Sequence, residues 1–249
     1  MRITEKTDLM KNIEKEAREA IYLADPNLLE DKRITSIFVT NGNKEVRNTA
    51  LAFAPDILKS DSEVILESVK TDGLLLKYAS ADLRADRDVV LTAVRQNGFA
   101  LQYASSRLQA DRELVSLAIE SEPWAFQFAS EGIKADKDMV LKAVSGWGWN
   151  LKYASDKLRD DREVVLEAVR TSDWALSLIP EKNWRDADFV LKVIKLNPNA
   201  LEYASPKLLK KKSFIKKAVV SNYPVYEWCS TRMDMTPKLA VKLYELARL

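Results

Sequence analysis

Residues 78–97 read YASADLRADRDVVLTAVRQN, and the same text returns as YASSRLQADRELVSLAIESE at 103–122, FASEGIKADKDMVLKAVSGW at 128–147 and YASDKLRDDREVVLEAVRTS at 153–172. The step is 25 residues each time. Self-similarity at a fixed step of this size marks a tandem-repeat protein, in which one supersecondary unit is stacked on copies of itself. Outward from this core the triplet persists at Tyr203-Ala204-Ser205, and in degenerate form at Phe53-Ala54-Pro55, Leu178-Ile179-Pro180 and Trp228-Cys229-Ser230. The aspartate of Asp86-Arg87-Asp88 returns at Asp111, Asp136, Asp161 and Asp186, and more weakly at Asp61 and Lys211. Seven copies without an insertion leave no linker between residues 61 and about 235.

Each copy reads as two short helices. After Asp111 the apolar residues Leu114, Val115, Ala118 and Ile119 fall at i, i+1, i+4 and i+5, which is one face of an α-helix. The aspartate is then the N-cap, accepting hydrogen bonds from the free N–H groups of the first turn, and the acid two places on suits the positive end of the helix dipole. The second helix is expected to start at Asn97-Gly98, Glu122-Pro123, Ser172-Asp173 and Asn197-Pro198, with residue 97, 122, 172 or 197 as its cap. It is read as about eight residues that bury Ala100, Leu101, Tyr103 and Ala104, followed by a five-residue link carrying Leu108. Helices this short are marginal alone, since isolated helices under ~12 to 15 residues are barely stable in water. Stacking supplies the burial, with alanine columns at 93, 118, 143, 168, 218 and at 79, 104, 129, 154, 204 allowing close approach.

The fold class expected is therefore all-α, an α-solenoid of tandem two-helix repeats with helical caps, in one domain spanning 1–249. Residues 1–45 are read as an N-terminal cap. It comprises a helix over 4–24 and a second from Asp25-Pro26 to about Thr40, closed by Asn41-Gly42. Tandem repeats occupy 46–235, and Thr236-Pro237 opens a C-terminal capping helix over 236–249.

Composition excludes much chemistry. The 249 residues hold no His, which removes Ser-His-Asp and Cys-His nucleophile pairs, imidazole acid–base catalysis and His-containing zinc sites. The lone Cys229 removes disulfides and Cys-only metal centres, and its place in the alanine column predicts a core position. Phosphate-binding glycine motifs are absent, and no Asp/Glu set has metal-loop spacing. No apolar run approaches the ~18 residues of a membrane span, and the opening MRITEKTDLMKN is too polar for a secretory signal. The reading is a protein of a reducing cytosol with no catalytic residues, no metal and no cofactor.

The pattern YASxxLxxDREVVLxAVxxN over residues 48–235 resembles a family of short two-helix tandem repeats catalogued as a domain of unknown function. The resemblance rests on the Tyr-Ala-Ser triplet, the Asp-Arg-acidic cap and the fixed step together. It implies an all-helical scaffold without catalytic residues, of a kind found in unicellular eukaryotes and in translocated effectors of intracellular bacteria. A cytoplasmic location follows, in the host cytosol where such an effector is delivered. Two departures predict irregular packing: Leu178-Ile179-Pro180 with Asn183 in the leucine column, and Lys211 in place of a capping Asp.

Two features are candidate binding sites. Phe99, Trp124, Trp149 and Trp174 form an aromatic column at the edge of the buried face, and Trp147 stands in the cap column beside it. Such a column either seals the seam between adjacent helices or presents a ligand-facing strip, because aromatic side chains at partly exposed groove positions are typical hot spots. Gln127, Lys152 and Ser177, one turn on, would then stand on the same exposed side. The second feature is charge. Residues 195–249 carry net +7 against net −5 for 1–194, owing to Lys207, Lys210, Lys211, Lys212, Lys216 and Lys217. The rows Arg87, Arg112, Lys137, Arg162 and Asp88, Glu113, Asp138, Glu163 run side by side and neutralise each other, so they offer no nucleic-acid surface. The function expected is a non-enzymatic scaffold that binds another protein through the face bearing the shorter helices, placed on the concave side. The alternative is an RNA-binding helical repeat array, in which aromatics stack bases and lysines hold phosphates.

Overall fold

A computed structural model describes residues 32–42 and 44–222. The helix read over 4–24, the capping helix read over 236–249 and the core position read for Cys229 lie outside the described residues. Among the described residues every regular element is helical, and the chain divides into two compact units, 1–130 and 131–249. Nine α-helices of ten residues each recur among them. In the first unit these are α1 (Lys32–Asn41), α2 (Lys44–Phe53), α3 (Ser62–Thr71), α4 (Arg87–Gln96) and α5 (Arg112–Ser121). In the second they are α6 (Lys137–Gly146), α7 (Arg162–Thr171), α8 (Ala187–Leu196) and α9 (Lys212–Ser221).

The long helices start as their sequence dictates. Asp61, Asp86, Asp111, Asp136, Asp161 and Asp186 each accept the backbone N–H of the residues two and three places on, which satisfies two of the four orphan donors at the helix start. Lys211 has no such oxygen, and α9 begins without a side-chain cap. The apolar face is the one the spacing predicts: Leu114, Val115, Ala118 and Ile119 are buried in α5, as are Val164, Val165, Ala168 and Val169 in α7. At the end of α1 the Gly42 N–H donates to the Phe38 carbonyl at 3.0 Å, but no described glycine has a positive φ. The glycine is needed there because a Cβ would lie 2.4 Å from that carbonyl oxygen, so its role is close approach and not a left-handed cap.

The second element differs from the expectation of an eight-residue α-helix. It is a six-residue 3-10 helix: Gly73–Tyr78, Gly98–Tyr103 and Pro123–Phe128 in the first unit, Gly148–Tyr153, Asp173–Leu178 and Pro198–Tyr203 in the second. A single extended residue, such as Asn97 with φ −155° and ψ 113°, ends the long helix and begins the 3-10 helix. Asp72, Asn97 and Asn197 also cap it through their side chains, whereas Glu122, Trp147 and Ser172 make no side-chain cap. With 3.0 residues per turn, side chains at i and i+3 eclipse. Gly98 and Leu101 therefore share the buried row with Ala100 beside it, while Tyr103 is only half-buried. The link is not irregular either. It is a third short helical piece, for example Ala81–Arg84, Leu108–Ala110 and Asp156–Arg159, and it buries Leu83, Leu108 or Leu158.

Within each unit, like packs on like. In the first, α3 lies on α4 and α4 on α5, while the three 3-10 helices stack in the same order; in the second, α6, α7, α8 and α9 stack, as do their 3-10 helices. The triplet serine marks a backbone ladder between copies. The N–H of Ser80, Ser105 and Ser130 donates to the carbonyl of Lys59, Arg84 and Gln109, and Ser155 and Ser205 repeat this on Lys134 and Trp184, all at 2.8–2.9 Å. Pro180 stands in the serine column without an N–H, and the rung it would make is missing. Gly148 shows how tight the stack is. A Cβ there would lie 2.0 Å from the Ala168 carbonyl oxygen of the next long helix, so the close approach admits only glycine without a backbone shift.

The irregularity foreseen near 178–184 takes a definite form. The link is a 3-10 helix, Glu181–Arg185, and Trp184, only 4% exposed, fills the space that leucine fills elsewhere. Its ring stacks on Tyr203 at 5.1 Å and meets Phe189 edge-on at 6.5 Å. Asn183, displaced outward, donates to the Asp160 carboxylate at 2.8 Å.

Candidate functional site

The charged rows of neighbouring copies are joined at the helix starts. Arg87, first residue of α4, donates from Nε to Asp111 Oδ2 at 3.1 Å and from Nη2 to Glu113. In the second unit Lys137 Nζ reaches Asp161 at 2.9 Å and Glu163 at 2.8 Å, and Arg162 pairs with Asp186. Each cation thus binds the capping carboxylate of the following copy. Burial alone would raise the Asp111 carboxyl, but the Leu114 and Glu113 N–H groups and Arg87 outweigh it and hold it below its ordinary value of 3.8. Asp161 shows the same balance, with burial opposed by Lys137 and the Val164 N–H. Asp186 is lowered first by the Phe189 N–H and then by Arg162. These cations are spent within the repeat stack.

The aromatic column resolves differently along its length. In the first unit Phe99 is half-buried and meets Phe128 edge-on at 6.4 Å, while Trp124 is 49% exposed. In the second unit three indoles form one cluster. Trp147 and Trp149, both half-buried, lie 6.3 Å apart at a 46° tilt, and Trp149 meets Trp174 edge-on at 6.1 Å. Trp174 is 70% exposed. The eclipsed row of the 3-10 helix brings the polar residue three places on beside each aromatic. Gln127 Nε2 donates to the Trp124 carbonyl at 3.1 Å, Ser177 Oγ to that of Trp174 at 2.8 Å, and the exposed Lys152 ammonium stands 5.8 Å from the centre of the Trp149 ring. The last is cation–π range. The column therefore does both things open to it: its inner members pack against one another, and its outer member presents most of a ring to solvent.

The basic cluster does not stay together. Lys216 and Lys217 line a groove between α8 and α9 with Lys192 and Lys195, two lysines not singled out in the sequence. Lys207 and Lys211 line another, beside Trp184 and Tyr203. Lys210 and Lys212 are simply exposed. The signal for Lys192 was present, since residues 142, 167, 192 and 217 form one column of the repeat, Lys, Glu, Lys, Lys. Among the described residues no three potential metal ligands cluster, and no helix is long and apolar enough to cross a membrane.

One family model matches the chain four times in succession, over residues 40–84, 86–134, 136–184 and 186–233, and that family is described as "Domain of unknown function (DUF4116)". The chain belongs to this family. Three of the four DUF4116 matches begin at a capping aspartate, Asp86, Asp136 or Asp186, and each of these spans two of the 25-residue copies. The DUF4116 unit is therefore a pair of structural repeats, and its inner boundary, at Asp111 for example, is as well capped as its outer one. No curated protein and no solved structure matches the chain.

Proposed function

We propose that this DUF4116 chain is a non-enzymatic scaffold that binds another protein through the face carrying its 3-10 helices. The observation that supports the reading is the cluster of Trp147, Trp149 and Trp174, in which the last indole is 70% exposed and meets the half-buried Trp149 edge-on, with Trp147 packed on Trp149 in turn. A large, rigid aromatic surface costs little side-chain entropy to bind, and tryptophan is among the residues most enriched at interface hot spots. Lys152 and Ser177 supply polar contacts at its margin. The single cysteine of the chain suits a cytoplasmic place of work. Protein is favoured over RNA as the partner of this face because Arg87, Lys137 and Arg162 are engaged by carboxylates, so the cations at the helix starts offer phosphates no unopposed row.

The test is capture of partners from a nuclease-treated lysate on the immobilised full chain, repeated with Trp174→Ala and Trp149→Ala, followed by titration of the captured protein. Truncating the exposed indole should weaken binding by ~10-fold or more with an unchanged circular dichroism spectrum, as expected of a hot spot. Capture abolished by nuclease would support the RNA alternative instead. Capture unaffected by both substitutions would remove the aromatic face from the function.

A further inference from the structure

A second surface, sharing no residue with the tryptophan cluster, lies between α8 and α9. The two helices leave an open groove of about 770 Å³ whose lining includes four lysines, Lys192 and Lys195 from α8, Lys216 and Lys217 from α9. Asp188 is the carboxylate among its lining residues, and among the described residues none of the four ammonium groups is engaged in a salt bridge. Leu191 and Val220 line the same groove, and Val220 is 59% exposed.

The neighbouring groove one repeat earlier shows what is unusual here. It measures about 820 Å³ and is lined by Lys142, Arg162, Arg170 and Lys192, but also by Glu163 and Glu167. Glu167 pairs with Arg170, and Arg162 with Asp186, so two of its four cations are neutralised, whereas among the described residues none of the four lysines of the α8–α9 groove is. Moving forward by 25 residues, Glu167 becomes Lys192 and then Lys217, and Leu191 becomes Lys216. The column that supplies a neutralising carboxylate to one groove supplies a further cation to the next. Four ammonium groups facing one groove repel each other, and a ligand that brings carboxylates relieves this.

We infer that the α8–α9 groove docks an acidic amphipathic helix of a partner protein. Carboxylates on one edge of that helix meet the lysines, and apolar side chains at helical spacing cover Leu191 and Val220. A nucleic acid fits the charge but not the rest: no aromatic side chain lines the groove to stack a base, and its apolar residues would be left uncovered.

The test uses the full chain and a fluorescein-labelled synthetic helix rich in Glu, with Leu at i, i+3, i+4 and i+7, read by fluorescence anisotropy. Saturable binding should weaken with added salt, and the double variant Lys192→Glu, Lys217→Glu should weaken it ~10-fold or more, because two attractive contacts become repulsive. Replacing the Leu residues of the probe by Ser, or Val220→Ser in the protein, should each weaken it by ~3-fold or more through lost apolar burial. Trp174→Ala should leave it unchanged, which separates this site from the proposed aromatic face. Four results would overturn the inference: no saturable binding; equal affinity for the Ser-substituted probe; an equal loss on Lys210→Glu, Lys212→Glu; or tighter, groove-dependent binding of an oligouridylate of the same charge.

Discussion

Trp174 and Trp184 are ten residues apart in sequence and predict opposite consequences when cut to alanine. Trp184 is 4% exposed, stacked on Tyr203 and edge-on to Phe189. An indole buries ~150 to 250 Å², so at ~25 cal/mol per Å² its removal forfeits about 4 to 6 kcal/mol before relaxation of the cavity. Measured truncations of buried aromatic residues fall at ~3 to 5 kcal/mol, and Trp184→Ala should lie in that range. Trp174 is 70% exposed, so less than a third of the same surface is at stake, and Trp174→Ala should cost only about 1 kcal/mol. The gap of roughly 3 kcal/mol corresponds to about a hundredfold in the folded-to-unfolded ratio. Urea denaturation of both variants, followed by circular dichroism, measures it directly. Equal losses would refute the sorting of these two rings into core and surface, and a larger loss for Trp174 would assign its column wholly to seam packing.

Two further outcomes follow from the helix starts. Asp111→Ala should destabilise by ~1 kcal/mol because two backbone N–H groups lose their acceptor, whereas Asp111→Asn keeps the cap and should cost less than half of that. Chemical denaturation compares them, and equal losses would make the ion pair with Arg87 the stabilising element instead. The second outcome concerns acid. Asp111, Asp161 and Asp186 have folded-state values below the ordinary 3.8, so the unfolded chain takes up protons first as pH falls. Their stabilisation should be complete above the ordinary carboxylate range and lost as pH drops through the lowered folded-state values. A thermal midpoint flat from neutrality to strong acid would contradict this.

The sequence by itself determined the repeat step, the capping aspartates and the buried face of each long helix. All three are local properties: a cap and its N–H groups lie within three residues, and the i, i+1, i+4, i+5 set of Leu114, Val115, Ala118 and Ile119 shares one helical face wherever the helix is placed. The exclusion of histidine and disulfide chemistry needed only composition. Tertiary structure decided the rest, because the deciding partner stands about one repeat away and not within one turn. Gly148 is pressed against the Ala168 carbonyl of the next copy, and the segment it opens is a tighter 3-10 helix, which puts Lys152 in the same row as Trp149. Arg87 finds its carboxylates 24 and 26 residues on, at Asp111 and Glu113, not on its own helix. Trp174 and Trp184 belong to one copy, and neighbouring copies decide their exposure: Tyr203 and Phe189 of the next copy cover Trp184, whereas Trp174 meets Trp149 of the preceding copy edge-on and most of its ring is left facing solvent.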